Sequence, residues 1–236
     1  MTARIVMTTG TPEAALYRLL TWLSPSYPVG GFSYSHGLEY AIEAGLVRDR
    51  ASLTDWTATV LTSGAGRSDG ALFAAAWQAA AIEDADTLDN IIELAAAWRG
   101  SAETALESSA QGTAFLATTR AAWPHPLLDR IALRHRGAIA LPVAVAITTA
   151  AHCVPLESAL AAYLHGFASN LVSAGLRAVP LGQSDGQRVL AELEPCVASA
   201  VAAALGTPLD AVGTAAPVID WCSMRHETQY SRLFRS

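Results

Sequence analysis

Apolar residues recur along the chain at three- and four-residue intervals, in blocks closed by Gly or Pro. That period is helical, and no stretch shows sustained apolar alternation rich in β-branched residues, so no strand is expected. Thr11 and Pro12 open the first helix, as N-cap and first helical residue, and it runs to about 23. A loop over 24–31 carries Pro25, Pro28, Gly30 and Gly31. The spacing then predicts a second helix over 33–44, stopped by Gly45, and a third capped by Ser52 that ends near 64. Helices follow over about 69–82, 86–98 and 101–119, and Trp123-Pro124-His125-Pro126 breaks the series. Beyond it, 127–136, 142–151 and 155–176 read as helices, and Ser184 is expected to cap another that runs to 205. Residues 208–212 form a short turn, and the spacing from 218 to 236 is again helical, with no stop signal. Short connections favour antiparallel neighbours, so the expected fold is all-α: a single-domain bundle of roughly ten helices over 1–236, with 218–236 as a tail.

Composition sharpens this picture. Apolar residues make up 52% of the 236 residues and charged residues only 15%, a balance that points to surface reserved for partners. Residues 138–151 are too short for a membrane span, contain Pro142 and lie between Arg136 and His152; the first ten residues hold no apolar run of signal-peptide length. A cytoplasmic location and no membrane role are the expectation. A net charge of −6 argues against a nucleic-acid footprint. Cys153, Cys196 and Cys222 are odd in number and far apart, which suits reduced, buried thiols. All 15 basic residues are arginine, so a Walker A loop, a Schiff base and a lysine general base are excluded.

Three segments stand out. In LSPSYPVGGFSYSHGLE, residues 23–39, a Pro- and Gly-shaped loop delivers Phe32, Ser33, Tyr34, Ser35 and His36 to a helix start. A nucleophile elbow would need a final Gly and a preceding strand. An anion site at the helix N-terminus is weakened by Glu39. A capped helix packing Phe32 and Leu38 into the core is the plain alternative to a partner surface. In the second segment, 174–190, Arg177 complements a helix C-terminus, and Gln183 and Gln187 surround a polar turn. The third, VIDWCSMRHETQYSRLFRS, places Trp221, Met224, Tyr230, Leu233 and Phe234 among Arg225, Arg232 and Arg235, the residue types enriched at protein interfaces. On a helix His226, Tyr230, Leu233 and Phe234 would share one face, and Arg225, Gln229 and Arg232 another. A last helix docked on its own bundle is the alternative. Cys222 with His226, and His152 with Cys153, match no four-ligand metal spacing, so no metal or cofactor is expected.

Together the three segments resemble the urease accessory protein UreF family. The first is similar to its SP-x-x-P-x-G-x-FSYS-x-GLE motif, VPLGQSDGQ to its PLGQ-x-x-GQ turn, and MRHETQYSRLFRS to its C-terminus. From about 51 to 149 the likeness is only in helical, Ala-rich character. The resemblance implies a non-enzymatic, all-α homodimer that binds UreD (also called UreH), recruits the GTPase UreG and acts with them on apo-urease to support nickel insertion. It implies partner contacts at Phe32, Ser33, Tyr34, His36 and Glu39, at Arg177, Gln183 and Gln187, and at Arg225, His226, Glu227, Gln229, Tyr230, Arg232, Leu233, Phe234 and Arg235. Two alternatives share this class: modulation of the GTPase by an arginine supplied in trans, with Arg177 as the example, and direct nickel carriage by His36, His226 and Cys222. A helical enzyme is the alternative of a different class, disfavoured by the absence of lysine, triad and metal motif.

Overall fold

A computed structural model describes residues 10–137 and 139–236, and the fold among them is all-α, with eleven α-helices and two 3-10 turns. The signal-peptide reading of the first residues, and Ala138 at the edge of the apolar stretch, lie outside the described residues. None of the described helices is long and apolar enough to cross a membrane.

Helix α1 spans Pro12–Trp22, and Thr11 accepts the Ala14 amide at 3.2 Å as expected of its N-cap. A 3-10 turn, Gly31–Ser33, follows the loop, and α2 is only Leu38–Glu43. The expected helix over 33–44 is therefore cut short. His36 and Gly37 both have positive φ, 56° and 77°, which no right-handed helix contains. A side chain at Gly37 would place its Cβ 2.8 Å from the Ser223 amide nitrogen. Close backbone approach of the last helix, invisible in local spacing, fixes this bend.

Helix α3 is Arg50–Thr62, and its cap is Asp49 rather than Ser52. Ser52 completes the box: its amide bonds the Asp49 carboxylate at 2.9 Å, and the Asp49 amide bonds its hydroxyl at 3.1 Å. The next helix, α4, runs Ala65–Ala81 and starts before the expected position. Asp69, at the expected start, is buried one turn inside, where Arg99 and Tyr163 hold it at 2.8 and 3.0 Å. Helices α5 (Ala85–Ala97), α6 (Ala102–Ala122), α7 (Pro126–Arg134), α8 (Leu141–Ala151) and α9 (Leu156–Ala178) follow near their expected places. In α10, Gln183–Leu205, Gly182 holds the N-cap position, not Ser184, and Asp185 reaches back to the Gly182 amide at 3.2 Å.

The centre is α8, buried from Pro142 through Ala150 and packed against α4 and α6. Small residues set that distance: a Cβ on Gly112 would stand 2.0 Å from the Ile139 carbonyl oxygen. Helices α9 and α10 pack on each other and on α3 and α4. The last helix, α11, is Pro217–His226 and lies on α2 and α6. It does not continue to the end of the chain as its spacing predicts. Residues 227–236 run as irregular chain back over the body.

Candidate functional site: the clasped tail

The returning tail is held by hydrogen bonds to three carboxylates, which supply what a further helical turn would have supplied. Glu39, on α2, accepts the amides of Leu233 at 2.6 Å and Phe234 at 2.9 Å, and its Oε2 lies 3.0 Å from His226 Nε2. Glu103, on α6, faces the other ring nitrogen of His226 at 2.7 Å and accepts Arg232 at 2.8 Å. One turn further along α6, Glu107 accepts the Ser236 hydroxyl at 2.9 Å and faces His36 Nδ1 at 3.3 Å. The main-chain oxygen of Ser236 accepts the Ser35 amide at 2.9 Å and also the Ser35 hydroxyl; the Arg235 amide donates to Ser33 at 2.8 Å. The first signature segment is thus the receptor for the chain's own last residues.

Electrostatics follow from this arrangement. His226 is fully buried, with a carboxylate against each ring nitrogen. Each ring nitrogen therefore has a carboxylate oxygen within hydrogen-bond distance. For His36, burial alone would lower the pKa, but the hydrogen bond and charge of Glu107 outweigh it, with Asp69 adding and Arg99 opposing, and the net shift is upward. Arg177 donates to the Phe32 carbonyl oxygen at 2.7 Å and lies 4.4 Å from the centre of the Phe234 ring; burial lowers its pKa. Arg235 sits over Tyr34 and Arg225 over Tyr40.

The structure divides the sequence-predicted residues into a buried and an exposed group. Tyr34, His36, His226 and Phe234 are buried within the chain, with Ser33, Glu39 and Gln229 partly so. Phe32, Arg225, Glu227, Tyr230, Arg232, Leu233 and Arg235 are exposed, as are Trp221 and Met224 on α11. Arg177 at the end of α9 and Gln183 and Gln187 on α10 are exposed as well. Phe32 does not enter the core as its pattern predicts; Leu38 does. The expected common face of His226, Tyr230, Leu233 and Phe234 does not form. Beyond His226 the chain is not helical, so His226 and Phe234 point inward while Tyr230 and Leu233 point out. The tail therefore has an intrachain role that its composition did not announce.

Sequence reasoning missed Glu103 and Glu107, which lie in the region without a motif; their spacing of four on α6 aligns both on one face, but that spacing alone named no partner. It also missed a cavity of about 320 Å³ beside the clasp, floored by the His36–Glu107 and Arg99–Asp69 pairs and walled by Trp22, Phe115 and Phe167. Of the cysteines, Cys222 is buried, with burial raising its pKa to about 11, while Cys153 and Cys196 are half-buried; all three are unpaired. Among the described residues no group of three or more His, Cys, Asp or Glu side chains is arranged to hold a metal ion.

The fold and the clasp define a class: an all-α protein whose first signature segment receives its own carboxyl-terminal residues. The UreF family model matches residues 47–194, well over half of the chain. The chain is 54% identical over 229 residues to the urease accessory protein UreF of Granulibacter bethesdensis, covering 97% of both sequences. It is 52% identical to the protein of that name from Rhodopseudomonas palustris strain BisA53, covering 94% of each, and 51% identical to that of Bradyrhizobium sp. strain ORS 278, covering 96% of this chain and 94% of the relative. This chain belongs to the UreF family.

Proposed function

We propose that the chain is a urease accessory protein of the docking kind, which engages UreD (UreH) and the GTPase UreG and, with them, supports nickel insertion into apo-urease. It works as a cytoplasmic homodimer, over a single domain whose residues 218–236 form the partner-binding tail. It contributes surface, not catalysis. The observation that carries this reading is the outward row of Trp221, Met224, Tyr230 and Leu233, exposed aromatic and apolar side chains on a segment pinned from beneath by Glu39, Glu103 and Glu107. Pinning removes chain entropy before a partner arrives, so less is lost on binding. The family relationship supports the identity of the process.

The alternatives have less support. Arg177 bonds the Phe32 carbonyl oxygen and lies against the Phe234 ring, which gives it a place in the clasp that needs no partner active site. His226 is buried with a carboxylate against each ring nitrogen, so neither nitrogen is open to an incoming nickel ion.

The test is co-purification. The double variant Tyr230→Ala/Leu233→Ala removes outward side chains and leaves every clasp hydrogen bond in place. Co-expressed with the UreD homologue, it is expected to recover at least about tenfold less partner, the cost of two interface anchors. Helical circular dichroism should be unchanged. Full recovery of the partner overturns the docking surface.

A further inference from the structure

We propose that the cavity of about 320 Å³ between the loop over 24–32, α6 and α9 is a binding site for a small uncharged carboxamide carried on an apolar body.

The wall of this cavity holds donors and acceptors that have not found each other. Trp22 is 2% exposed and the Arg99 side chain 7%, and both line it. The indole Nε1 of Trp22 and the Nη2 of Arg99 have no acceptor among the described residues. A buried donor left in this state is unfavourable, and a ligand that supplies an oxygen relieves it. Two acceptors stand in the same wall. Gln111 gives its Nε2 to Glu107 at 3.4 Å, and Asn170 gives its Nδ2 to the Tyr34 carbonyl oxygen at 3.4 Å. Their nitrogen ends are thus in use, while among the described residues neither amide oxygen receives a bond. Gly31 keeps the approach to both oxygens open: a Cβ there would stand 3.3 Å from Gln111 Oε1 and 3.7 Å from Asn170 Oδ1.

Charge selects the class of ligand. The carboxylates of the wall already have basic partners, Asp69 with Arg99 at 2.8 Å and Glu107 with His36 at 3.3 Å. An incoming ion would shed its hydration and meet no free counter-charge. A carboxamide brings an acceptor and a donor on one carbon without net charge. Its carbonyl oxygen accepts from Arg99 or Trp22, and its N–H₂ group donates to Gln111 and Asn170. The rings of Trp22, Phe115 and Phe167 receive the apolar remainder. A volume of about 320 Å³ lies at the small end of ligand pockets, which run to roughly 300–1,000 Å³. Every lining residue falls between 22 and 173, so the site does not depend on α11 or on how residues 227–236 are held. It stands apart from the docking reading above, which is tested through Tyr230 and Leu233.

Titration of the full chain with benzamide, benzoate and benzylammonium, which share a shape and differ in charge, tests the site. The indole N–H resonances of the six tryptophans report binding, and Trp22→Phe identifies the Trp22 signal. Benzamide is expected to saturate in the low-millimolar range or below, to shift the Trp22 signal, and to bind at least about tenfold tighter than either ion. Gln111→Leu is expected to weaken benzamide at least about fivefold with helical circular dichroism unchanged; Asn170→Leu serves if that variant does not fold. Four results overturn the site: no saturable binding, which would make water its occupant; saturation that leaves the Trp22 signal in place; a preference for either ion; or undiminished benzamide affinity in the folded variant.

Discussion

The packed centre and the clasped tail of this molecule are held by opposite means. At the centre, Val143 to Ile147 of α8 meet α4 and α6 through apolar side chains with almost no exposure, and Gly112 lets backbones pass within touching distance. At the tail, ten residues bury few large side chains, Phe234 foremost, and depend on hydrogen bonds to Glu39, Glu103 and Glu107. Apolar burial is non-directional and indifferent to pH. Buried, charge-assisted hydrogen bonds are directional, and removing one partner leaves the other exposed to the full desolvation cost. One chain can therefore hold its body by packing and its tail by directional bonds.

The strongest way to break the comparison is to damage the centre. Phe73 is fully buried on α4, with its ring 5.4 Å from that of Tyr163, whose hydroxyl donates to Asp69. Phe73→Ala is expected to cost about 3–5 kcal/mol and to lower the thermal midpoint by roughly 10 °C. Calorimetry checks the size, and the tail should unfold in the same transition. Little change in the midpoint would mean that the centre is far less tightly packed than its burial indicates.

How far each region was legible follows the same division. The body's helices were readable because local signals produce them: Thr11 with Pro12 starts α1, and Pro126 and Pro142 stand in the first turns of α7 and α8. The short α2 was not readable, because the positive φ of His36 and Gly37 answers to the backbone at Ser223, far away in sequence. In the tail the inventory was visible, as aromatics, arginines and His226 on a chain end, but its orientation was not. The helical spacing continues past His226, and only tertiary bonds from Glu39 and from Ser33 to the last residues end the helix there. Glu103 and Glu107 were hidden for the same reason: a pair four apart on a helix is ordinary until the chain returns to it.

A smaller, local effect sharpens the contrast. Glu39→Gln keeps shape but presents one acceptor and an N–H₂ group where three donors converge. Taking one partner from a buried pair costs about 3 kcal/mol, and here the loss should fall on residues 227–236 rather than on the bundle. Exchange protection of the Leu233 and Phe234 amides should drop at least about tenfold while the thermal midpoint shifts by no more than a few degrees. A midpoint falling as far as in Phe73→Ala would show that clasp and body form one cooperative unit.

The least disruptive change probes the seam between the two regions. Ser101 caps α6: its hydroxyl accepts the Thr104 amide at 3.1 Å, and it also meets the Ser223 hydroxyl of α11 at 2.6 Å. It thus joins the helix that carries Glu103 and Glu107 to the helix that carries His226. Ser101→Ala removes both bonds, and a lost N-cap costs about 1 kcal/mol, or roughly 2–4 °C in a chain of this size. Because the cap belongs to the body, that cost should appear in the thermal midpoint. Because the Ser223 bond lies beneath the tail, a fraction of it should also appear as faster exchange at Leu233 and Phe234, smaller than in Glu39→Gln. A midpoint shift with unchanged tail exchange would place the boundary between body and tail at α11 itself. A tail effect alone would place it at the start of α6.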